Sequence, residues 1–413
     1  MEREQWTRPE IATWQLSAIN RVWSTAKNHV PYYRELAQSH CLPSQFESLE
    51  DYVSRMPLLN KSEVRKSPDS FLAREPASGS WHRTGGSTGT PMKVYWERKA
   101  HHESLRTKYR MLQKWGIDIF DRSTFLWGHS GSVAPGLAGL KQRMRRPVED
   151  ALRNRLRLSA YQLGEKDLDG HLQQMIRFQP RVLYGYSSAV MLLAMHAKQY
   201  GAAIPSLRLV ILTAEPADES MRSVISDAFN CDTAIEYGSV DCGVMATGDP
   251  DGVLRVREDY VLLESLPNRN ACHDLVVTVL NNSSFPLMRY QIEDVTSKPI
   301  RYLKDGMAVM EDVRGRKNDI LVSRSGRLVH SLAVKHLVEH YPSIRRFRAH
   351  QMRDGKLHVQ LESSDEIASR RLEHKLSQLL DGYQVDVELC EFIDGNLAGK
   401  HRWVLSDLAN ALD

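Results

Sequence analysis

The fold of this chain is decided by residues 181–212, which read RVLYGYSSAVMLLAMHAKQYGAAIPSLRLVIL. The two ends of this stretch, Arg181–Tyr186 and Leu207–Leu212, are rich in the aliphatic and aromatic residues that favour strands. Between them we expect an apolar helix, capped by Ser187 or Ser188 because seryl oxygens accept hydrogen bonds from the free N–H groups of a first turn. Strand, helix and strand in this order predict a largely parallel α/β sheet.

The residues on either side extend this pattern into a large domain. Downstream, a helix from Asp218 to Phe229 and a strand ending at Glu236-Tyr237-Gly238 continue the alternation, and residues 254–296 then read as strands alone. Upstream, residues 1–70 read as helical, and Lys93-Val94-Tyr95-Trp96 is a short strand. The sequence therefore predicts an α/β fold whose large N-terminal domain combines mixed and parallel sheets with helices.

The pattern changes toward the C-terminus, where a smaller unit is predicted. Strands are expected over Lys356–Leu361 and Gln384–Glu391, with an amphipathic helix over Glu366–Leu380 between them. This is an α+β unit of about 100 residues, near the lower end of ordinary domain size. We therefore expect a large domain over residues 1–314 and a small C-terminal domain over residues 315–413.

Composition and charge exclude several classes of protein. The 413 residues are 42% hydrophobic and 26% charged, the proportions of a globular chain and not of a disordered chain, a coiled coil or a collagen. The 55 Lys and Arg residues against 51 Asp and Glu leave a net charge of +4, too small and too diffuse to indicate nucleic acid binding.

Cysteine usage and hydropathy bear on the compartment. The five cysteines stand far apart without a CxxC pair, so neither a disulfide framework nor a zinc ribbon is expected. The N-terminus lacks the basic start and apolar run of a signal peptide, and the most apolar stretch, Ala189–Ala197, is about half as long as a membrane span. We therefore expect reduced thiols, no membrane insertion and a cytoplasmic protein.

The strongest local signal is the loop Thr84-Gly85-Gly86-Ser87-Thr88-Gly89-Thr90-Pro91. Its glycines free the backbone to turn tightly and aim N–H groups at an anion, while the Ser and Thr hydroxyls add further donors. No Gly-Lys-Ser/Thr follows, so the loop is not of the Walker type, and its spacing is not GxGxxG. Taken alone, it indicates either a phosphate-binding loop or an ordinary surface loop.

Five further segments carry candidate functional residues. Thr213-Ala214-Glu215-Pro216 and Tyr237-Gly238-Ser239-Val240-Asp241 come directly after apolar strands, and the carboxyl ends of strands are where open α/β sheets bind ligands. The others are, in chain order, Pro286-Leu287-Met288-Arg289-Tyr290-Gln291-Ile292-Glu293-Asp294, Gly315-Arg316-Lys317-Asn318-Asp319-Ile320-Leu321 and Gly399-Lys400-His401-Arg402-Trp403-Val404. A turn or a solvated charge explains any one of them, whereas their order along the chain is informative.

In this order and spacing, the six segments resemble the adenylate-forming (acyl-activating) superfamily. Within it they are most similar to the phenylacetate–coenzyme A ligase branch and to the CapK-type proteins of capsule biosynthesis. The resemblance runs from about Pro31-Tyr32-Tyr33 to the C-terminus. It implies an enzyme that uses ATP to convert a small carboxylic acid to an acyl adenylate and releases pyrophosphate. The acyl group would then pass to a thiol, with coenzyme A as the co-substrate.

The resemblance also implies roles for residues around the nucleotide. The loop Thr84–Pro91 would hold the β- and γ-phosphates of ATP. Glu215 and Pro216 would lie beside the adenine and the acyl carboxylate. Tyr237 would stack on the adenine, and Gly238 would allow it to approach closely.

Four charged residues receive roles in the same way. Asp294 would bind the ribose hydroxyls, and Arg316 would contact ribose or phosphate near the hinge between the domains. Asp241 stands where the family has a glutamate near Mg²⁺. Lys400, carried by a mobile lid domain, would reach the site and neutralise charge as pyrophosphate leaves.

Further segments are expected on the side of the acyl group. The segment Trp127–Ser132 could line the acyl pocket, with His129 either a base or a hydrogen-bonded structural histidine. Tyr186 lies in a segment that matches a substrate-side segment of the relatives, where it would either contact the substrate or form part of the pocket wall. The basic run 141–157 lacks aromatic side chains for base stacking, so it indicates a solvated helical face or, alternatively, a docking surface for an acidic carrier protein or coenzyme A phosphates.

Departures from the family pattern leave alternatives open. Val240 cannot donate a hydrogen bond, Asp241 is one methylene shorter than Glu, and Asn318 takes the place of the hinge acid. Residues 299–316 contain no cysteine, so no structural zinc is expected. The alternatives are adenylation followed by amide-bond formation or by loading of a carrier protein, and a non-catalytic nucleotide-binding homologue. The resemblance also suggests a homodimer.

Overall fold

The computed structural model describes the chain in segments: residues 5–83, 92–127, 148–160, 163, 165–268, 272–313, 315–316, 320–325, 328–330, 334, 337–338, 340–341, 343–393 and 404–408. The chain divides into two compact units, Met1–Arg314 and Gly315–Asp413. No helix among the described residues is both long enough and apolar enough to cross a membrane.

The first unit begins with helices, as expected. They are α1 (Arg8–His29), α2 (Pro31–Ser39), α3 (Leu49–Arg55) and α4 (Lys61–Lys66), followed by a 3₁₀ turn at Pro68–Phe71. A hairpin of β1 (Gly79–Arg83) and β2 (Lys93–Glu97) comes next, and then α5 (Arg98–Lys114).

The predicted strand and helix alternation follows. It comprises β3 (Ser123–Trp127), β4 (Arg155–Ser159), α6 (Glu165–Phe178), β5 (Val182–Tyr186), α7 (Ser187–Gln199), β6 (Leu209–Thr213), α8 (Glu219–Phe229) and β7 (Asp232–Ser239). Strands alone complete the unit: β8 (Gly243–Gly248), β9 (Leu254–Val256), β10 (Val261–Pro267), β11 (His273–Val279), β12 (Tyr290–Thr296) and β13 (Val309–Met310).

Among the described residues, eight of these strands form one sheet in the order β13-β9-β8-β7-β6-β5-β3-β4. The five strands β7, β6, β5, β3 and β4, neighbours in that order, are parallel to one another. On the other side, β7 pairs antiparallel with β8, β8 with β9, and β9 with β13. Strands β10, β11 and β12 pair antiparallel in a second sheet. The fold is therefore the mixed α/β architecture that the sequence predicts.

Helices cover both faces of the parallel strands. Leu172 of α6, Leu193 of α7 and Ile225 of α8 pack into one apolar core with inward residues of β5 and β6. Met111 and Leu112 of α5 pack on the opposite face. Parallel strands buried on both faces need continuous apolar sequence, which explains the runs that decide the fold.

The second unit is the expected α+β arrangement. It contains β14 (Gly315–Arg316), β15 (Ile320–Val322), β16 (Leu328–His330), β17 (Arg346–Gln351), β18 (Leu357–Glu362), α9 (Glu366–Leu379), β19 (Val385–Cys390) and β20 (Val404–Ser406). Four strands described here form a sheet in the order β19-β18-β17-β20. Leu372 and Leu376 of α9 pack into its core.

One expectation at the start of α7 is wrong. The N-cap residue is Tyr186, and Ser187 and Ser188 are the first two helical residues, so neither serine caps the helix. The reason is tertiary: the Ser188 N–H finds an acceptor on another segment of the chain, the carboxylate of Glu215.

Candidate functional site

The carboxyl ends of three parallel strands meet at one edge of the large sheet. In the register of the ladder Tyr186 lies opposite Thr213, and Thr213 lies opposite Glu236. Thr213 ends β6, and β7 continues through Tyr237 to Ser239, so the segments that begin at Thr213 and Tyr237 lie at the same edge of the sheet. This edge is the place where open α/β sheets bind ligands.

Glu215 ties two of these strand ends together. Its Oε2 accepts a hydrogen bond of 2.8 Å from the Ser188 N–H, and its carbonyl oxygen accepts one of 3.0 Å from the Ser187 hydroxyl. A carboxylate at a helix N-terminus is stabilised by the free N–H groups and by the helix dipole. Ala214, directly before it, has a φ of +67°, a strained backbone conformation of the kind that clusters at functional sites.

Tyr237 and Asp294, both predicted to contact the nucleotide, are in contact with each other. The buried Tyr237 hydroxyl donates a hydrogen bond of 3.0 Å to Asp294 Oδ2. Burial, together with the nearby Asp294 carboxylate, raises the pKa of Tyr237 well above its ordinary value, so the phenol stays protonated as a donor. Two segments of different sheets thus converge on one polar contact.

The backbone around Asp294 is unusual. Glu293 has a φ of +70° and Arg289 a φ of +46°, so two non-glycine residues of one predicted motif adopt left-handed conformations. Arg289 itself is structural, because its guanidinium is buried and donates to both carboxylate oxygens of Glu264, at 3.1 and 3.0 Å. The motif therefore combines a structural anchor with a candidate ligand-binding carboxylate.

Gly238 meets a close neighbour within the chain. A Cβ at this position would lie 2.6 Å from the carbonyl oxygen of Gly243, on the antiparallel partner strand β8. The hairpin of β7 and β8 therefore requires glycine here for its own packing, independently of any ligand.

Asp241 lies beside a buried lysine that the sequence analysis missed. Lys61 Nζ is 3.4 Å from Asp241 Oδ2, and the Tyr290 hydroxyl donates to the same oxygen at 2.7 Å. Burial by itself would raise the pKa of Asp241, but Lys61 and hydrogen bonds from Ser239 and Tyr290 outweigh it and lower that pKa. The sequence carried a signal, since Lys61 is the first residue of a helix that follows Leu58-Leu59 and the N-cap Asn60, but a single lysine in a short helix is usually solvated.

This arrangement bears on the predicted magnesium ligand. Mg²⁺ takes oxygen ligands in near-octahedral geometry. Asp241 offers a carboxylate that is already held by protein donors and by the Lys61 ammonium, and so it does not fit a metal ligand as placed. Within the described residues, no group of three or more His, Cys, Asp or Glu side chains could hold a metal ion. The role of Asp241 toward Mg²⁺ stays a prediction.

The hairpin that carries the Gly/Ser/Thr loop is fixed to this region. Arg83 and Lys93, which flank the loop, lie opposite each other in the hairpin. Trp96 Nε1 donates a hydrogen bond of 2.9 Å to the Val240 carbonyl oxygen. Although the Val240 side chain is exposed, its backbone accepts this hydrogen bond. The contact holds strand β2 of the hairpin next to the Tyr237–Asp241 segment.

A second buried polar cluster lies on the α5 face of the same strands. Tyr184 donates a hydrogen bond of 2.5 Å to Glu236 Oε1, and Lys108 Nζ is 3.9 Å from Glu236 Oε2 and 3.1 Å from the centre of the Tyr184 ring. Burial lowers the pKa of Lys108 to about 8, although Glu236 opposes that shift. Sequence reasoning missed this cluster because its members come from three distant elements.

Aromatic side chains border the cluster. The Trp127 ring lies 5.5 Å from the Tyr184 ring and 4.2 Å from the Tyr186 ring, centre to centre. Tyr186 is buried in this contact, and its role beside the acyl group stays a prediction.

Several predicted site residues lie outside the described part of the chain. These are His129, Lys400 and the loop residues Thr84, Gly85, Gly86, Ser87, Thr88, Gly89 and Thr90. Arg316 is described in its backbone alone, as part of β14. Pro216 follows Glu215 at the sheet edge, half-buried, and the structure shows no contact that assigns it a function.

The chain is similar to two curated proteins over most of its length. It is 24% identical to protein CapK of Staphylococcus aureus over 329 residues, covering 76% of this chain and 70% of that one. It is 22% identical to the phenylacetate–coenzyme A ligase of Pseudomonas putida over 416 residues, covering 91% and 90%. No family model matches the chain.

A solved structure has the same fold. The chain superposes with a TM-score of 0.76 and 19% identity on 2-hydroxyisobutyryl-CoA ligase in the postadenylation state in complex with R3-HIB-AMP, covering all of this chain and 93% of that one. The mixed α/β architecture with a smaller second unit is therefore shared. Together these similarities confirm the resemblance to the adenylate-forming superfamily, and to its phenylacetate–coenzyme A ligase and CapK branch, that the motifs indicate.

Proposed function

We propose that this chain, a relative of CapK and phenylacetate–coenzyme A ligase with the fold of the adenylate-forming superfamily, activates a carboxylic acid with ATP. The acid attacks the α-phosphorus through a carboxylate oxygen, pyrophosphate leaves, and the acyl adenylate then passes its acyl group to the thiol of coenzyme A with release of AMP. The observation that carries the proposal is the convergence of Glu215, Tyr237 and Asp294 at the carboxyl edge of the large sheet.

The chemistry explains why polar and charged groups gather at this edge of the sheet. A carboxylate that attacks a phosphate brings two anions together, so the barrier is mainly electrostatic and fixed hydrogen-bond donors and cations lower it. We assign the β- and γ-phosphates to the loop Thr84–Pro91 and the charge that develops as pyrophosphate leaves to Lys400. Magnesium would arrive with ATP, and we derive no step from it because Asp241 is held by Lys61.

Asp294 is assigned to the ribose, with Tyr237 as its partner in the absence of nucleotide. The ribose hydroxyls would donate to the Asp294 carboxylate, and one of its oxygens now accepts from the Tyr237 hydroxyl. The hydrogen bonds from the ribose and from Tyr237 therefore compete for the Asp294 carboxylate, unless each donor uses different lone pairs of its two oxygens. We place Pro216 and the ring of Tyr237 beside the adenine, and Arg316 near the ribose or phosphate, as the family resemblance implies.

Coenzyme A is the acceptor that the relatives favour, and two other acceptors follow from the same adenylate. An amine would give an amide, and a carrier-protein phosphopantetheine would give a bound thioester. Release of AMP that depends on added thiol distinguishes coenzyme A from an amine. All five cysteines are free, which fits a reducing compartment, so we place the reaction in the cytoplasm. A homodimer remains part of the proposal.

The experiment that tests adenylation is ATP–pyrophosphate exchange on the purified protein with Mg²⁺, across a panel of aryl, aliphatic and amino acids. Exchange that depends on one acid is expected, with loss of about 10²–10³-fold in the Lys400→Ala variant, the scale of removing one charge-stabilising donor. Lys356→Ala, an exposed lysine of the same unit, is the matched control. Exchange at the wild-type rate in Lys400→Ala would remove the lysine from catalysis, and absence of exchange with every acid would contradict adenylation.

A pair of variants tests the ribose assignment. Asp294→Asn removes the anionic acceptor and should weaken ATP binding, measured by calorimetry, by about tenfold, in line with one hydrogen bond to a charged group. Tyr237→Phe keeps the ring and removes the competing donor, so ATP affinity should stay equal or rise. An unchanged affinity in Asp294→Asn would exclude Asp294 from nucleotide binding.

A further inference from the structure

One face of helix α9 in the C-terminal unit is strongly basic. The helix buries Ala368, Leu372 and Leu376, and its exposed face carries Arg370, Arg371, His374, Lys375 and Gln378 at spacings of one, three and four residues. Residues at these spacings lie together on a helix. The sequence pattern of this region predicts an amphipathic helix and does not by itself indicate a binding site.

The basic face is one wall of a groove of about 710 Å³. The five residues of α9 line it together with His340 and Tyr341, and among the described residues no acidic side chain lines it. Lys375 Nζ lies 5.3 Å from the centre of the Tyr341 ring. A groove of this size is within the range of small-molecule sites, which is about 300–1,000 Å³.

The arrangement is unfavourable for the free helix. Arg371 and Lys375 are spaced i and i+4, and like charges at this spacing destabilise a helix. Glu366 lies 3.9 Å from Arg370, and both side chains are largely exposed, so this ion pair contributes little. A solvated helix face would ordinarily alternate charges, whereas this face concentrates positive charge in a concave surface. The groove therefore has the electrostatics of an anion site.

The side chains narrow the chemistry of the anion. Two guanidinium groups offer the planar pairs of donors that match phosphate oxygens, and Lys375 adds a point charge. Three cations in one groove fit a ligand with more than one phosphate better than a single carboxylate. Tyr341 adds an aromatic wall, against which a base or another flat apolar group can pack.

We propose that this groove binds the phosphates of a multiply phosphorylated nucleotide. This identification rests on the proposed function: the ligand is the 3′-phosphorylated ADP portion of coenzyme A. The 3′-phosphate and the diphosphate are the groups that Arg370, Arg371 and Lys375 hold.

Calorimetry on the full chain tests this with coenzyme A, dephospho-coenzyme A, adenosine 3′,5′-bisphosphate and inorganic phosphate as probes. Coenzyme A should bind at least tenfold more tightly than dephospho-coenzyme A, which lacks the 3′-phosphate. The double variant Arg371→Gln/Lys375→Gln should lose at least tenfold in affinity for coenzyme A and for the bisphosphate. The control is Arg353→Gln, an exposed arginine between β17 and β18 that does not line the groove.

The outcomes separate this proposal from the proposed function. Unchanged coenzyme A affinity in the double variant, or equal affinity for coenzyme A and dephospho-coenzyme A, would overturn the groove as the site of the 3′-phosphate. ATP–pyrophosphate exchange needs no coenzyme A, so it should stay at the wild-type level in the double variant. Because the substituted side chains are exposed, both variants should fold, which circular dichroism checks.

Discussion

The pairing of Lys61 with Asp241 gives a prediction whose magnitude follows from the structure. Both side chains are more than nine-tenths buried, and the charged atoms lie 3.4 Å apart. Coulomb's law at that distance gives about 5 kcal/mol for an effective dielectric constant of about 20. Removing one partner of a buried ion pair costs about 3–5 kcal/mol, because the other charge stays buried without compensation.

Lys61→Met keeps most of the side-chain volume and removes the charge. Asp241 retains the hydrogen bond from Tyr290, so we expect the lower end of the range, a loss of about 3 kcal/mol in the free energy of unfolding at pH 7. Urea unfolding followed by tryptophan fluorescence measures it, since Trp403 is the one tryptophan of the eight outside residues 1–314. The double variant Lys61→Met/Asp241→Asn should recover at least 1 kcal/mol relative to Lys61→Met, within the ordinary range of coupling between contacting residues.

The pH dependence provides the second readout. In the wild type the pKa of Asp241 is lowered, so its ion pair contributes stability above the unfolded value of 3.8 that is lost as the pH falls through the folded pKa. In Lys61→Met the lysine no longer opposes the effect of burial, which should raise the pKa of Asp241. The loss in the free energy of unfolding relative to the wild type should therefore shrink as the pH falls from 7 toward 5. The reasoning would be refuted if the stability losses of the two single variants simply added in the double variant. It would also be refuted if the stability loss of Lys61→Met did not change with pH.

Three further predictions concern groups that hold the site in place. Gly238→Ala should lower the free energy of unfolding by about 1–3 kcal/mol in urea, because the new Cβ would lie 2.6 Å from the Gly243 carbonyl oxygen; an unchanged midpoint would mean the hairpin relaxes without cost. Arg289→Met should cost about 3–5 kcal/mol in the same assay by leaving its buried partner carboxylate unpaired, and a loss below 1 kcal/mol would contradict the anchoring role. The pKa of Lys108 is lowered to about 8 from 10.5, so between these pH values the unfolded chain binds more protons than the folded chain. The free energy of unfolding of the wild type relative to Lys108→Met should therefore rise by about 2–3 kcal/mol from pH 8 to pH 10. Parallel pH profiles for the two proteins would show that Lys108 titrates normally beside Glu236.

Much of the fold is determined by local sequence. The apolar runs at Val182–Tyr186 and Leu209–Thr213 could not be soluble as exposed strands, so their burial on both faces of a parallel sheet follows from composition. The position of Glu215 at a strand end follows from the same pattern, because a polar residue after a buried strand must leave the sheet at its carboxyl edge. The helix that the sequence predicts from Asp218 begins at Glu219, and Asp218 is its N-cap, since its side chain accepts from the Met221 N–H within its own segment.

Tertiary structure alone decided which polar groups meet. Ser188 uses the Glu215 carboxylate in place of a local cap, Asp294 receives the Tyr237 hydroxyl, and Asp241 receives Lys61. Each of these pairs joins residues that are far apart in the sequence, and no periodicity or local spacing encodes them. Local propensity specifies where a strand or helix begins, but the partner of a buried charge depends on which distant segment the packed chain brings within a few ångströms. The sequence therefore determined the architecture and the edge that carries the site, and the packed chain determined the ion pairs and hydrogen bonds within it.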